Sequence, residues 1–265
     1  MRLRPPGARA ARATVASVVR RTPPYKALAE ELLRTAHDRD RLAARLASRS
    51  RQDLSFVFVV TYGRSGSTLL QGILDSIPGW LIRGENGGAV YHLYRHFTEI
   101  TSRPQSRRRE PPFPVTDAWF GFDQYPRRLA VAQIRALVID TLLRPGPDTR
   151  VTGFKEIRWD YPDLPAYLRF LQRIFPGARF ILNTRSHEDV AKSKWWARAD
   201  DPLAELARIE ELQSAAADEL GDAVYRVRFD DYVEDPAVLR GLFEWLGEEF
   251  DEGAVRSVLA VPHSY

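Results

Sequence analysis

Residues 57–74 read VFVVTYGRSGSTLLQGIL, and this stretch decides the fold. Phe56–Val60 is the longest uninterrupted apolar run in the chain and is rich in valine. That is the pattern of a strand buried on both faces. It runs into Thr61-Tyr62-Gly63-Arg64-Ser65-Gly66-Ser67-Thr68, and a helical pattern opens directly behind. Small residues let the backbone curl so that several N–H groups point inward, and the helix N-terminus adds positive partial charge. Ser67 and Thr68 add hydroxyl donors. The segment reads as a receptor for a phosphate-like anion. It departs from the loop G-x-x-x-x-G-K-[ST] of nucleoside triphosphatases. Aligned on Gly66, Thr61 stands where the first glycine belongs and Ser67 where the lysine belongs. The cation is Arg64 instead.

A second segment, ARFILNTRSHEDVAKSKWW at residues 178–196, is also a strand, a turn and a helix. Arg185 ends the strand and Ser193 follows eight residues later. Ser186 is suited to cap the helix, with Asp189 three residues on. In a helix over 187–198, Ser193 lies nearly two turns in. Arg185 and Ser193 then converge on one phosphate only if it lies along the start of the helix. The forked, permanently charged guanidinium suits that ligand.

Outward from these two segments the chain alternates. Strands are expected at 56–60, 151–154, 179–182 and 224–229. Helices are expected at 66–77, 126–143, 163–174, 187–198, 202–219, 236–246 and 251–259. Strands separated by helices pair in parallel through right-handed crossovers, and ligands bind beyond their carboxyl ends. The fold class is α/β, a P-loop-like three-layer α/β/α domain with a central, mainly parallel sheet, over residues 51–265. Residues 25–50 read as a helix with Leu28, Leu32, Leu33, Leu42 and Leu46 roughly on one stripe. Residues 1–24 read as a disordered tail rich in Arg, Ala and Pro.

Charge and composition exclude several classes. The chain has 265 residues, 44% hydrophobic and 28% charged, and no cysteine. Disulfides, thiolate zinc sites and a cysteine nucleophile are excluded. No apolar run approaches a membrane span. The net charge is +4, but residues 1–29 carry seven cations and no acid, which leaves −3 for the rest. A mildly acidic domain gives no basis for nucleic-acid binding. The expectation is a cytoplasmic protein whose basic tail touches anionic lipid, at the inner membrane face, or an acidic partner.

Arg64-Ser65-Gly66-Ser67-Thr68 resembles the 5′-phosphosulfate loop, [KR]-S-G-[ST]-T, of sulfotransferases that use 3′-phosphoadenosine 5′-phosphosulfate (PAPS). The arginine form resembles the tyrosylprotein and bacterial glycolipid enzymes more than the cytosolic ones, which carry lysine. Leu69 replaces the tryptophan with which the cytosolic enzymes stack adenine. The spacing of Arg185 and Ser193 resembles the 3′-phosphate site of PAPS enzymes. Arg228 and Asp230–Pro236 resemble the strand and loop before the family's last helices and are read as fold support. In element order the resemblance spans about residues 55–259. It implies a sulfotransferase that moves the sulfuryl group from PAPS to a small-molecule, carbohydrate or glycolipid hydroxyl or amine. The nucleotide contacts would be Arg64, Ser65, Gly66, Ser67, Thr68, Arg185 and Ser193.

The chemistry then needs a cation for the developing charge and a base for the acceptor proton. Arg64 and the loop N–H groups would stabilise the leaving phosphate. Lys155, one of four lysines, follows the strand at 151–154 in TGFKEIRW and resembles the lysine that reaches the sulfuryl oxygens in the tyrosylprotein enzymes. Its other reading is an ion pair with an acid such as Glu156. Glu85, in LIRGENGG, lies 21 residues after Arg64, a separation resembling that of the proposed base in arginine-loop enzymes. Burial would have to raise its pKa. His92 and His96, at i and i+4 on a helix, are the rival base, or packing residues. No metal is called for, because a sulfuryl group carries less charge than a phosphoryl group.

Residues 101–116, with four prolines and four arginines, read as a surface loop or as a flap over the acceptor site. Of Trp195 and Trp196, one is expected in the core and the other is left open to stack on adenine or a sugar ring. Pro262–Tyr265 either close over the nucleotide or fray. Two rival functions stand: a kinase with an atypical loop, and a non-catalytic nucleotide-binding protein.

Overall fold

The computed structural model of the protein describes residues 53–261, Lys194 excepted, together with Glu31, Arg34, Thr35 and Asp38. Those four are helical. The tail at 1–24, the rest of the leucine-striped helix at 25–50 and the segment 262–265 lie outside the described residues.

Five parallel strands form one sheet in the order β2-β3-β1-β4-β5. They are β1 (Ser55–Val60), β2 (Trp80–Arg83), β3 (Val151–Glu156), β4 (Arg179–Thr184) and β5 (Val224–Arg228). The apolar run takes the centre because both of its faces are covered. Phe56, Phe58 and Val60 belong to one core, Val57 and Val59 to the other. The first core packs under α2 (Ala89–Thr101), α3 (Arg127–Leu137), α4 (Leu164–Ile174) and α6 (Pro202–Leu220). The second packs under α1 (Ser67–Asp75), α7 (Phe229–Glu234), α8 (Arg240–Leu246) and α9 (Glu252–Leu259). The fold is the expected three-layer α/β/α arrangement around a parallel sheet. A third, smaller core of Tyr62, Val190, Trp196, Leu206 and Ile209 lies at the carboxyl end of β1, joining the loop after β1 to α5 (His187–Ala191) and α6.

The structure departs from the sequence reading in several elements, while 102–116 is a mostly exposed loop as expected. Strand β2 was not expected. It is four residues between Gly79 and Gly84, too short to show a period. The helix expected at 187–198 ends at Ala191 and resumes as a single 3-10 turn at Trp196–Arg198. Ser193 Oγ donates to Val190 O, and Trp196 Nε1 is drawn to Gly63 O, so local side-chain bonds replace the helical ladder. The helix expected at 126–143 is α3 followed by a wide π turn over Val138–Leu143, where Arg83 donates to Leu143 O and Arg144 O. Residues 101–116 are tied down at both ends. Arg127 donates to Thr101 O and Ser106 Oγ, and Asp123 accepts from Phe113 N.

Candidate active site

The loop after β1 is held from beneath by buried polar side chains. Thr61 Oγ1 donates to Asn183 O at 2.7 Å, and Ser65 Oγ lies 2.6 Å from Thr61 Oγ1. Asn183 Nδ2 donates to Ser65 O, Tyr232 OH donates to Asn183 Oδ1, and Gln213 Nε2 donates to Thr61 O. Thr61, Ser65 and Asn183 have no exposed surface. With its carbonyls used below, the curled backbone turns the other way at its top. Arg64 has φ 71° and Gly66 φ 77°, both left-handed. For a non-glycine residue that conformation is strained and persists only where the surroundings impose it. A Cβ on Gly66 would lie 1.9 Å from the Phe229 ring, so glycine is required twice over. Helix α1 starts at Ser67 with no side-chain cap and no acid in its first turn. The N–H groups of Ser67 and Thr68 therefore have no partner within the helix, and its positive end is open.

Arg185 stands beside this loop. Its Nη1 donates to Arg64 O at 3.1 Å and its guanidinium stacks 4.4 Å over the Phe229 ring. The same ring underlies Gly66, so Phe229 supports both halves of the site. Tyr62 fixes the backbone at 185. Its hydroxyl accepts from Arg185 N at 2.9 Å and lies 2.9 Å from Glu210 Oε2, which also meets His187 Nε2 at 2.8 Å. Burial pushes the Tyr62 phenol far above its usual range, so it remains a protonated donor. Asp230 accepts from Ser186 N and from Arg228, and Ser186 caps α5 by accepting from Asp189 N. The Nε atoms of Arg64 and Arg185 are buried and have no hydrogen-bond partner. Arg185 thus reaches the backbone of Arg64, and each of the two guanidinium groups keeps one buried N–H free to take an acceptor.

A second cluster lies at the carboxyl ends of β2 and β3. Lys155 Nζ donates to Glu85 Oε1 at 2.7 Å. The lysine side chain is 6% exposed and the glutamate 45%. Lys155 is thus in an ion pair, as its other reading has it, but with Glu85; Glu156 is used otherwise. Its Oε2 accepts from Asn86 N and Gly88 N, its Oε1 from Ile157 N and Arg158 N. It thereby pins the glycine-rich loop that carries Glu85. The Glu85 carboxylate is half open to solvent and held on one side by Lys155. His92 and His96 are both exposed on α2, so neither packs in the core.

A family model described as the sulfotransferase family matches residues 57–252, from the middle of β1 to the start of α9. The chain belongs to the sulfotransferase family. Among solved structures, the sulfotransferase domain of the Synechococcus PCC 7002 olefin synthase is similar in fold. It shows 20% identity, a TM-score of 0.51 and coverage of 80% of each chain. The sulfotransferase domain from the curacin biosynthetic pathway (16%, 0.45, 76% of each chain) also matches. So does mouse sulfotransferase SULT7A1 complexed with PAP (13%, 0.42, covering 82% of this chain and 68% of that one). No curated protein sequence matches at significance.

In this sulfotransferase the fold brings Arg64, Gly66, Ser67, Thr68 and Arg185 to one face and joins Glu85 to Lys155. Ser65 is present with its hydroxyl turned inward. Ser193 lies just past the end of α5 with its hydroxyl on Val190 O. Among the described residues no hydrogen bond links it to Arg185. Sequence reading missed Tyr62, Asn183, Glu156, Glu210 and Phe229, the residues that hold the others. Only Glu156 carried a signal, as an acid directly after Lys155 at a strand end. Of the adjacent pair, Trp196 is the core residue at 2% exposure, and Trp195 is 48% exposed. No described helix is long and apolar enough to cross a membrane.

Proposed function

We propose that this sulfotransferase transfers the sulfuryl group of PAPS to a hydroxyl or amine of a small-molecule, carbohydrate or glycolipid acceptor, releasing adenosine 3′,5′-bisphosphate (PAP). The observation that carries the reading is the linked pair of arginines. Arg64 and Arg185 come from distant segments, meet through one hydrogen bond, and each keeps a buried N–H unsatisfied. Two anion sites so close suit a nucleotide phosphorylated at both ends. A triphosphate on a lysine-bearing loop would have no use for the second.

PAPS supplies a sulfuryl group on a phosphate that can leave with its charge stabilised. The N–H groups at Ser67 and Thr68 and the Arg64 guanidinium would hold the 5′ end, and Arg185 the 3′-phosphate, with the Ser193 hydroxyl beside α5 as its second ligand. Lys155 stabilises the oxygens of the group in transfer. Glu85 accepts the acceptor's proton as the acceptor oxygen bonds to sulfur and the bond from sulfur to the bridging phosphate oxygen breaks. Glu85 is exposed enough for an acceptor to reach, and Lys155 is close enough to serve both events.

The test is transfer of labelled sulfate from PAPS into cell extract by the wild type and by Glu85→Gln. The wild type labels an acceptor and the variant does not, while PAP binding is kept. A wild type that binds PAP and labels nothing points to a non-catalytic binding protein. A larger thermal shift with ATP-Mg²⁺ than with PAP points to the kinase.

A further inference from the structure

Trp195 carries information that the nucleotide site does not use. A single exposed apolar side chain needs no explanation on a protein surface. This one is held in place. Its indole stacks on Trp196 at 4.4 Å and 26°. Trp196 is buried and anchored by Nε1 donating to Gly63 O at 3.0 Å. Trp195 also lies flush on the loop. A Cβ at Gly63 would come 2.3 Å from Trp195 Cζ2 and 3.5 Å from Ile157 Cδ1. The indole and Ile157 therefore flank the same backbone position, directly before Arg64.

Sheet order says which part of the cleft this is. Arg185 follows β4, on one side of β1. Ile157 follows β3, on the other side of β1, and comes two residues after Lys155. Trp195 descends from the chain that follows β4, yet its ring crosses Gly63 to the β3 flank. There it joins Ile157 next to the strand end that carries the Lys155–Glu85 pair. An anchored, half-exposed aromatic ring on the same flank as the Lys155–Glu85 pair favours a ring over a chain, because little ordering is needed when the ligand arrives.

We propose that Trp195 is the floor of the acceptor subsite, and that the acceptor presents a flat apolar ring face, of a pyranose or an arene, beside the hydroxyl that is sulfated. This rests on the sulfotransferase reading of the same cleft. Pyranose and arene share the chemistry that the indole recognises, and the panel below tells them apart.

The experiment uses the full chain with PAPS and two sets of alcohols. The ring set is methyl glucoside, methyl galactoside, 2-naphthol and 4-methylumbelliferone; the chain set is glycerol and 1-octanol. Sulfate transfer and PAP affinity are measured for wild type, Trp195→Ala and Trp195→Phe. At least one ring alcohol is sulfated well ahead of the chain alcohols. For that acceptor Trp195→Ala raises KM about tenfold or more, while Trp195→Phe, which keeps a ring, stays within about threefold. PAP affinity stays within about twofold in both, which also shows that both variants fold. Chain alcohols turned over as well as rings, a KM unmoved by Trp195→Ala, or PAP binding without transfer to any ring alcohol would overturn the proposal and leave the nucleotide site standing. A loss of PAP affinity in Trp195→Ala with KM unmoved would assign the indole to adenine instead. A wild type that does not bind PAP removes the underlying reading, and this subsite with it.

Discussion

The two flanks of the cleft are built differently. On the β1–β4 flank the supports beneath the loop are buried, and most are hydrogen-bonded more than once. Thr61, Ser65, Asn183 and Tyr232 form a closed network beneath the loop, and Tyr62 ties it to Arg185. On the β2–β3 flank Glu156 and Lys155 are buried at the strand end. Glu85 is half exposed on a loop containing Gly84, Gly87 and Gly88. A fixed nucleotide needs a fixed receptor, and an over-determined network can hold the strained turn at Arg64. The β2–β3 flank, the acceptor side in the proposed function, is shaped by one ion pair and one pinned carboxylate, so its lining can vary without disturbing the β1–β4 side.

If that division is right, substitutions on the two flanks separate binding from turnover. The largest effect is expected from Glu85→Gln. Steady-state kinetics should show kcat lowered by about 10²–10⁴-fold, with the PAP dissociation constant within about twofold by calorimetry. A parallel loss of both would erase the distinction between the flanks.

Two glycines compare the flanks directly. Gly66→Ala forces a Cβ into the Phe229 ring at φ 77° and should lower stability by about 2–4 kcal/mol in denaturant unfolding. Gly87 has φ 66° but nothing within 4 Å, so Gly87→Ala bears only the backbone strain, about 1–2 kcal/mol. Equal losses would show that the Phe229 contact is not what fixes the loop.

Arg185→Ala should weaken PAP binding by about 1.5–3 kcal/mol, the loss of a charged hydrogen bond, with the acceptor's KM unmoved. A shift in acceptor KM would mean that Arg185 serves both flanks.

The smallest effect lies outside both flanks and serves as a control. Glu248 accepts from both Arg150 amino nitrogens, at 2.6 and 2.5 Å, and from Trp80. The Arg150 bond holds its carboxyl below the ordinary glutamate range. The stabilisation is full above that ordinary value and is lost as pH falls through the lowered one. Glu248→Gln should lower stability by about 1–2 kcal/mol at neutral pH and flatten its acid limb. Chemical denaturation at several pH values reads both, and PAP affinity should not change.

The β1–β4 flank was legible in the sequence because its pattern is local. An apolar run, a small-residue turn and a helix start are consecutive, and Arg185 directly follows a second apolar run, β4. What supports them was not legible. Asn183 is an ordinary strand residue until β4 pairs with β1, and Phe229 acquires its role only when α7 folds back under Gly66. The length of α5 was misread because nothing in its pattern shows Trp196 reaching for Gly63. Glu85 and Lys155 were each legible as chemistry-bearing, but their pairing depended on β2, a strand too short to announce itself.

The central claim is that one cleft grips a ribonucleotide by phosphates at both ends. Isothermal titration of the full chain with PAP and with adenosine 5′-monophosphate, in wild type and in Arg185→Ala, tests it most directly. The account predicts that the wild type binds PAP at least about tenfold more tightly than the monophosphate, and that Arg185→Ala abolishes the difference. Equal affinity for the two nucleotides in the wild type, or a preference that survives the loss of Arg185, would contradict it.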